Sequence, residues 1–262
     1  MDNGGDWGRR GLLALGTLAG LLAAWEAVVR AFQVPTFLLP APSTVWKVAA
    51  AFAPHWGPHI WATVRATLFG FGVAIGMGVL LAVVIVHSRL LSDILTPIIV
   101  LLQIIPKIAF APLFLIWFGT GTLPIVVVTF LVAFFPMVVN TAIGLVEVEP
   151  DLLDLTRVFR MTRWRVLWAI RLPSALPYVF SGLRVASTLA VIGAIIGEFV
   201  GGNVGLGYLV LIANNTANTP LAIASIALIS AFGLLLYAAI LAVERLSMPW
   251  KPAEAGLSLA GI

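Results

Sequence analysis

Charge is what this 262-residue chain has least of: 11 acidic and 15 basic residues make up 10% of it, against 61% hydrophobic residues. Soluble domains carry roughly a quarter charged residues, so a water-exposed globular architecture is excluded for most of the chain. Cysteine is absent altogether, which removes disulfides, iron–sulfur clusters and thiol chemistry. Histidine is scarce, at His55, His59 and His87. His55 and His59 stand four apart, the spacing of two ligands on one helical face, but Gly57 and Pro58 between them argue against a regular helix. The alternative is an interfacial histidine pair, and no metal site is expected. A phosphate loop of the form G-x-x-x-x-G-K-[ST] is missing, because Lys47, Lys107 and Lys251 all lack the glycines before them. Neither H-E-x-x-H nor a paired-carboxylate site occurs inside the apolar runs, which counts against a membrane-embedded enzyme. The net charge of +4 is not laid out as a basic face, so no nucleic-acid partner is expected.

Long apolar runs fill the space these absences leave. A spanning helix needs about 20 mostly apolar residues, and residues 11–29 supply one, interrupted only by Glu26. That run is longer than the apolar core of a signal peptide and lacks a convincing cleavage site, so it reads as a first transmembrane helix that stays. Residues 66–86 form an uncharged second span whose Gly70, Gly72, Gly76 and Gly78 would let neighbouring backbones approach. The third span, 94–118, contains Pro97, Pro106, Pro112 and a lone Lys107; after the turn signal at 119–124 a fourth runs to about Val146. A fifth, 177–200, holds Arg184 and ends at Glu198. Residues 201–219 read as a Gly/Asn-rich re-entrant loop, and 221–243 give a sixth span. Between the first two spans, Pro42-Ser43 starts a helix and Trp46 and Trp56 suit a membrane interface, so an amphipathic surface helix is expected there.

The expected fold is therefore all-α and polytopic, with about six transmembrane helices. Its parts are an N-terminal helix plus periplasmic amphipathic segment (1–59), a core (60–250) and a tail (251–262). With the N-terminus inside, the inner segments hold Arg9, Arg10, Arg89, Arg157, Arg160, Arg163, Arg165, Arg171, Arg245 and Lys251, and the outer side holds Lys47 and Arg30. The positive-inside bias then places both termini in the cytoplasm.

A third of the cations crowd into LTRVFRMTRWRVLWAIRLPSALP (155–177), interleaved with Val158, Phe159, Trp164, Leu167, Trp168 and Ile170. The segment is too charged for lipid and too apolar for a plain solvated loop. Pro150 starts a helix with Asp151 and Asp154 at its positive end, and Leu152, Leu155 and Phe159 form an apolar stripe. A second short helix leads through Trp164 and Ile170 to Leu172-Pro173. Two short amphipathic helices between spans suit force transfer to a soluble partner; the plainer alternative is a basic loop that only sets topology.

This segment resembles the EAA loop of bacterial binding-protein-dependent ABC importer permeases, whose pattern is EAA, three residues, Gly, nine residues, Ile, one residue, Leu-Pro. Asp154, Leu155 and Thr156 stand at the EAA positions, Arg160 at the glycine, and Ile170, Leu172 and Pro173 at the close. The departure is Arg160, since glycine there permits the tight turn between the two helices. QIIPKIAFAPLFLIWFG (103–119), AFFPMVVNT (133–141), LRVASTLAVIGAIIGEFVGGNVGLGYL (183–209) and VERLSMPW (243–250) also resemble this family. Within it the chain looks most similar to the branch of nitrate, sulfonate and taurine permeases with pyrimidine thiamine-precursor and riboflavin permeases. PKIAFAPLF, NTAIGL and GEFVGG lean to the vitamin or precursor side. The resemblance implies a non-catalytic permease homodimer in the bacterial inner membrane. It docks two ATPase subunits that carry ATP and magnesium, and receives its small solute from an extracytoplasmic binding protein. Asp154, Leu155, Thr156, Phe159, Arg160, Trp164, Ile170, Leu172 and Pro173 would form its coupling loop, and this chain itself would bind no cofactor. The competing reading is an ATP-independent secondary carrier or channel.

Ionisable and polar groups at membrane depth default to a pathway or pairing role. Lys107, after Gln103 and Pro106, could attract an anionic solute, pair with a carboxylate or snorkel to an interface. Glu198, before GGNVGLGY, is read as a gating or docking carboxylate. Gln103 and Asn140 are candidates for the pathway and for bonds between helices. Arg184 and Glu198 lie about 21 Å apart along one helix at ~1.5 Å per residue and cannot pair. Glu26 and Arg65 are either a pair or separate interface residues.

Overall fold

The structure, a computed structural model, describes residues 4–249; the expected tail at 251–262 lies outside them. Its helices, in chain order, are α1 (Gly4–Ala31), α2 (Pro42–Ala51), α3 (Trp56–His87), α4 (Arg89–Ile104), α5 (Ala111–Phe118), α6 (Thr122–Val146), α7 (Pro150–Val158), α8 (Arg163–Val166), α9 (Leu172–Gly201), α10 (Leu206–Asn215) and α11 (Thr219–Ser247). Among the described residues no strand occurs. Backbone polar groups in lipid must be satisfied within the segment, and helices do this for runs as apolar as these. Residues 53–87, 122–146, 163–201 and 219–247 are each long and apolar enough to cross a membrane, and a bent pair over 90–118 makes a fifth. α1 carries the 11–29 run that the sequence reads as a further span, and α2 starts at Pro42, where the sequence places a short helix.

The third span is not one rod. Its two pieces, 90–104 and 107–118, meet at 80°. Pro106 pushes Ile105 into extended backbone (φ −66°, ψ 128°), and a 3-10 turn over Lys107–Phe110 redirects the chain into α5. Pro97, Pro136 and Pro177, by contrast, sit inside continuous helices. Gly57 and Pro58 do not break the helix either. They fall in the first turn of α3, where a missing N–H removes no intrahelical bond. The 201–219 stretch is not simply a loop, since α10 folds within it. The fifth span is longer than 177–200: α8, a π-helical turn over Leu167–Arg171 and α9 form one apolar length, so Leu172-Pro173 continues a helix and does not end one.

α6 is the axis of the core, packed chiefly against α9 and α3. Approach is closest where glycine leaves room. A Cβ on Gly70 or Gly78 of α3 would meet Thr129 or Met137 of α6 at 2.7 and 2.6 Å, and one on Gly193 or Gly197 of α9 would meet the α6 backbone at 2.9 and 2.7 Å. Gly72 and Gly76, on the other side of α3, face open space, so only half of the expected glycine set is a packing seam. Around it, Phe71, Ala74, Ala133, Met137, Phe180, Ala186 and Ala190 form the central cluster. Of the buried hydroxyls, those of Thr67, Thr129 and Ser225 donate back to their own helices at 2.7–2.8 Å, whereas Thr141 Oγ1 has no partner among the described residues.

Candidate functional site

Three places hold the residues that the sequence singles out. The first is the loop after α6. α7 spans Pro150–Val158, and its arginines divide into distinct jobs. Arg157 pairs with Asp154 one turn back. Arg171 donates from Nη1 to the Leu145 carbonyl at 2.8 Å, closing the C-terminal end of α6, where a cation is favoured. Arg160 has φ +48°. The Met161 N–H bonds the Thr156 carbonyl at 3.0 Å and the Arg160 N–H bonds that of Arg157 at 3.1 Å, the paired bonds of a left-handed helix stop. Arginine thus adopts the conformation that glycine takes easily, and the turn between the short helices is kept. Thr162 then caps α8 by accepting from the Arg165 N–H at 3.4 Å.

The apolar members of this loop are left uncovered. Val158 is 76% exposed, Phe159 74%, Trp168 68% and Trp164 59%, although His87 of α3 stacks on Trp164 with centroids 4.8 Å apart. Leu155 is exposed too, while Thr156 and Leu167 turn inward. Two amphipathic turns therefore present bulky side chains and arginines on one loop, anchored from beneath by Leu167 and Arg171.

The second place is a cleft of about 350 Å³ lined by Gln103, Lys107, Val132, Phe135, Pro136, Val139, Asn140 and Leu189. The bend at Pro106 brings Lys107 to it. Its Nζ donates to the Gln103 carbonyl at 3.0 Å and lies 4.5 Å from the Phe135 ring centroid, a cation–π distance. Asn140 donates from Nδ2 to the Pro136 carbonyl at 2.9 Å. Gln103 and Lys107, four residues apart, share this cleft with Asn140 of α6. Glu198 does not line it.

Glu198 is the third. It is 1% exposed and acts on α10 from across a turn. One carboxylate oxygen accepts from Thr63 Oγ1 at 2.6 Å and the other from the Gly207 N–H at 2.6 Å. The Leu206 N–H in turn bonds Thr63 Oγ1 at 2.8 Å. These amides are the orphan donors of the first turn of α10, so Glu198 and Thr63 together cap that helix and tie α3, α9 and α10. Gly205, with φ +150°, is required twice over: a Cβ there would sit 2.3 Å from the Glu198 carboxylate. His59 completes the corner. Its Nδ1 lies 3.1 Å from both the N and the O of Gly205, and its ring is parallel to that of Tyr208. Thr63 and His59 gave no sign of this from sequence spacing, since their partners lie 135 or more positions away. The GGNVGLGY run was the one available signal, because glycines before a helix mark a close approach. His55 packs instead on Phe52, and among the described residues no group of three His, Asp or Glu is placed to hold a metal.

The sequence left open whether Glu26 and Arg65 pair. Glu26 accepts from Arg30 and Ser43, while Arg65 donates to Thr122 Oγ1 at 3.2 Å, so Glu26 and Arg65 are separate. Arg184 stands 3.6 Å from the buried carboxylate of Glu244, joining α9 to α11.

Comparison with known proteins places this arrangement. Residues 74–247 match the family described as binding-protein-dependent transport system inner membrane component. A riboflavin transport system permease protein of Chloroflexus aurantiacus is 36% identical over 94% of this chain and 92% of its own. A formylaminopyrimidine transport permease protein of Halalkalibacterium halodurans is 34% identical, over 88% of this chain and 92% of its own. A taurine transport system permease protein of Escherichia coli is 30% identical, over 92% and 90%. Among solved structures, a methionine ABC transporter in an inward facing conformation shares the fold, with a TM-score of 0.55 at 20% identity, covering 78% of this chain and 94% of that one. The chain belongs to the family of binding-protein-dependent transport system inner membrane components: it is a multi-pass membrane permease subunit of an ABC importer.

Proposed function

We propose that this permease works as a homodimer, docks two ATPase subunits through the α7–α8 loop and carries a small solute past Gln103, Lys107 and Asn140. The observation that carries the docking role is the exposure of Leu155, Val158, Phe159, Trp164 and Trp168 on a loop otherwise studded with arginine. Leu155, Val158 and Phe159 lie outside the spans and Trp164 and Trp168 at the arginine-rich foot of the fifth, and exposed apolar side chains at that density beside so many cations favour a protein partner that covers them. Asp154 at the front of the loop, Arg160 at its turn and Ile170, Leu172 and Pro173 at its base are the coupling residues. Because Leu167–Arg171 is continuous with α9, a push on Trp164 is delivered straight to a span that packs along α6. ATP and magnesium belong to the partner, and this chain contributes no catalytic residue. Closure of the ATPase dimer draws the two loops together and switches the spans between two packings, the two-state logic of alternating access. In this reading both termini lie in the cytoplasm and α2 on the outer side, where a binding protein delivers the solute.

For the solute, the greater identity to riboflavin and formylaminopyrimidine permeases than to the taurine permease supports a vitamin or pyrimidine precursor over nitrate, sulfonate or taurine. All of these relatives are ABC permeases, which removes the support for an ATP-independent carrier. The experiment is an affinity pull-down of the tagged, detergent-solubilised chain from its own membranes. An ATP-binding subunit should co-purify with the native chain and be lost with Asp154→Lys; equal recovery with the variant would refute the docking role of this loop.

A further inference from the structure

His87, the last residue of α3, touches the coupling loop at its exposed end. Its ring stacks on Trp164 with centroids 4.8 Å apart and planes 30° from parallel, within the spacing of a favourable aromatic pair. Trp164 is otherwise open, at 59% exposure, so a partner that covers its free surface presses it against His87. The base of the loop is held more firmly. Leu167 is buried with Ala82, Leu145 and Ala175, against Val83 and Val86 of α3, and Arg171 bonds the Leu145 carbonyl. A load on Trp164 therefore reaches the C-terminal tip of α3 as well as α9.

The chain breaks at that tip. Ser88 is extended (φ −129°, ψ 118°) and caps α4 by accepting from the Leu91 N–H at 3.4 Å. At the other end Ile105 is extended before Pro106. α4 is thus a helix of 16 residues between two interruptions of the helical ladder. It packs chiefly on α3 and is seated by Ile99 among Ile85, Phe135 and Val138. Element ends of this kind absorb the backbone rotation of a hinge. Gln103 lies about 22 Å from Ser88 at ~1.5 Å per residue, so a tilt of about 5° at Ser88 carries it about 2 Å. Gln103 and Lys107, which bonds its carbonyl, line the cleft of about 350 Å³ opposite Phe135 and Asn140 of α6. A shift of that size is large on the scale of such a cleft.

We infer that His87 is a positioning residue of the transport cycle. Its stack on Trp164 passes displacement of the coupling loop to the Ser88 hinge, and α4 then swings Gln103, and Lys107 with it, against the α6 wall of the cleft. This role rests on the docking of an ATPase at the loop, and it adds a second output to the direct one through α9. An aromatic stack biases an equilibrium by about two- to twelvefold, which sets the size of the response that His87 controls.

The chain has no cysteine, so one introduced thiol reports on one position without a solute. Gln103→Cys, in the complex of the full chain with its ATPase in nanodiscs, is treated with a methanethiosulfonate reagent, with and without a non-hydrolysable ATP analogue, and the mass of this chain is followed. With His87 in place, nucleotide should change the modification rate at least fivefold. His87→Ala should reduce that change to less than twofold while the ATPase still co-purifies. His87→Gln, which lacks the ring, should behave as His87→Ala does, and His87→Phe, which restores a ring, should return the response to within twofold of the native one. A full response in His87→Ala or His87→Gln overturns the role of His87. With the ATPase bound and His87 in place, no response overturns the swing of α4. Loss of the ATPase in His87→Ala alone would make His87 part of the docking surface and overturns it too. Failure of the ATPase to co-purify with the native chain would instead remove the docking itself, so the two failures are read apart.

Discussion

Replacing Glu198 by alanine should unfasten α10 from the core. The carboxylate accepts two bonds at 2.6 Å, from Thr63 Oγ1 and the Gly207 N–H, and the site has no access to water at 1% exposure. A buried donor left without its acceptor costs about 1–3 kcal/mol, so two orphans cost roughly 2–6 kcal/mol before relaxation. Glu198→Gln keeps the shape. Its carbonyl oxygen still serves the Gly207 N–H, while its amide, a donor, faces Thr63 Oγ1 and displaces that hydroxyl's own bond, so one buried donor is orphaned instead of two and the loss should be about 1–3 kcal/mol. The contrast is best read locally, by amide hydrogen exchange over residues 206–215 in detergent micelles, together with the melting temperature. Exchange there should accelerate by about one and a half to four orders of magnitude in Glu198→Ala, at about 1.4 kcal/mol per tenfold, and by less in Glu198→Gln. Pairing with Thr63→Val gives the interaction energy directly. If Glu198→Ala and Glu198→Gln exchange alike, or if neither differs from the native chain in this segment, Glu198 does not hold α10 and the capping account is wrong.

Three other outcomes follow from the same geometry. Arg160→Gly should stabilise the α7 turn by roughly 0.5–1 kcal/mol, because a non-glycine residue in the left-handed region costs about 1–2 kcal/mol; slower exchange at Met161 with unchanged ATPase recovery would show it, and faster exchange would contradict it. Arg184→Ala should destabilise by roughly 1–3 kcal/mol, the cost of leaving the buried Glu244 carboxylate without its neighbour, since Arg184 itself is part exposed and 3.6 Å away. Adding Glu244→Gln should restore most of that loss in thermal melts, and no restoration would mean that the pair is not the cause. Lys107→Ala should cut uptake of the vitamin or pyrimidine-precursor solute by about tenfold in liposomes reconstituted with the ATPase and binding protein, while Lys107→Arg retains it; equal uptake by all three would take Lys107 off the path.

Much of the architecture follows from the sequence alone, for a physical reason. Water and hydrocarbon sort side chains strongly, so residues 66–86, the run from the 119–124 turn to about Val146, and 221–243 announce membrane helices by composition, and Pro42 announces α2. The arginine-rich segment is legible in the same way, since its spacing is local: Pro150, Asp154, Ile170 and Leu172-Pro173 lie along one stretch of chain. The family resemblance put the turn at Arg160, although the residue type gave no hint that arginine would accept a left-handed backbone. Prolines were less readable. Pro106 breaks the third span by 80°, whereas Pro97, Pro136 and Pro177 leave their helices intact, and only the packing around each decides between those outcomes.

What the tertiary structure decided is which polar groups meet. Sequence ranked Gln103, Lys107, Asn140 and Glu198 together as groups in lipid; packing put the first three around one cleft and sealed the fourth behind α10 with Thr63. It separated Glu26 from Arg65, gave Arg184 to Glu244 and faced Gly70 and Gly78, but not Gly72 and Gly76, onto α6. Such partners are fixed by helix rotation and close approach between distant segments. A linear pattern of apolar residues tells a helix that it is buried in the membrane, and leaves its neighbours to be chosen by shape.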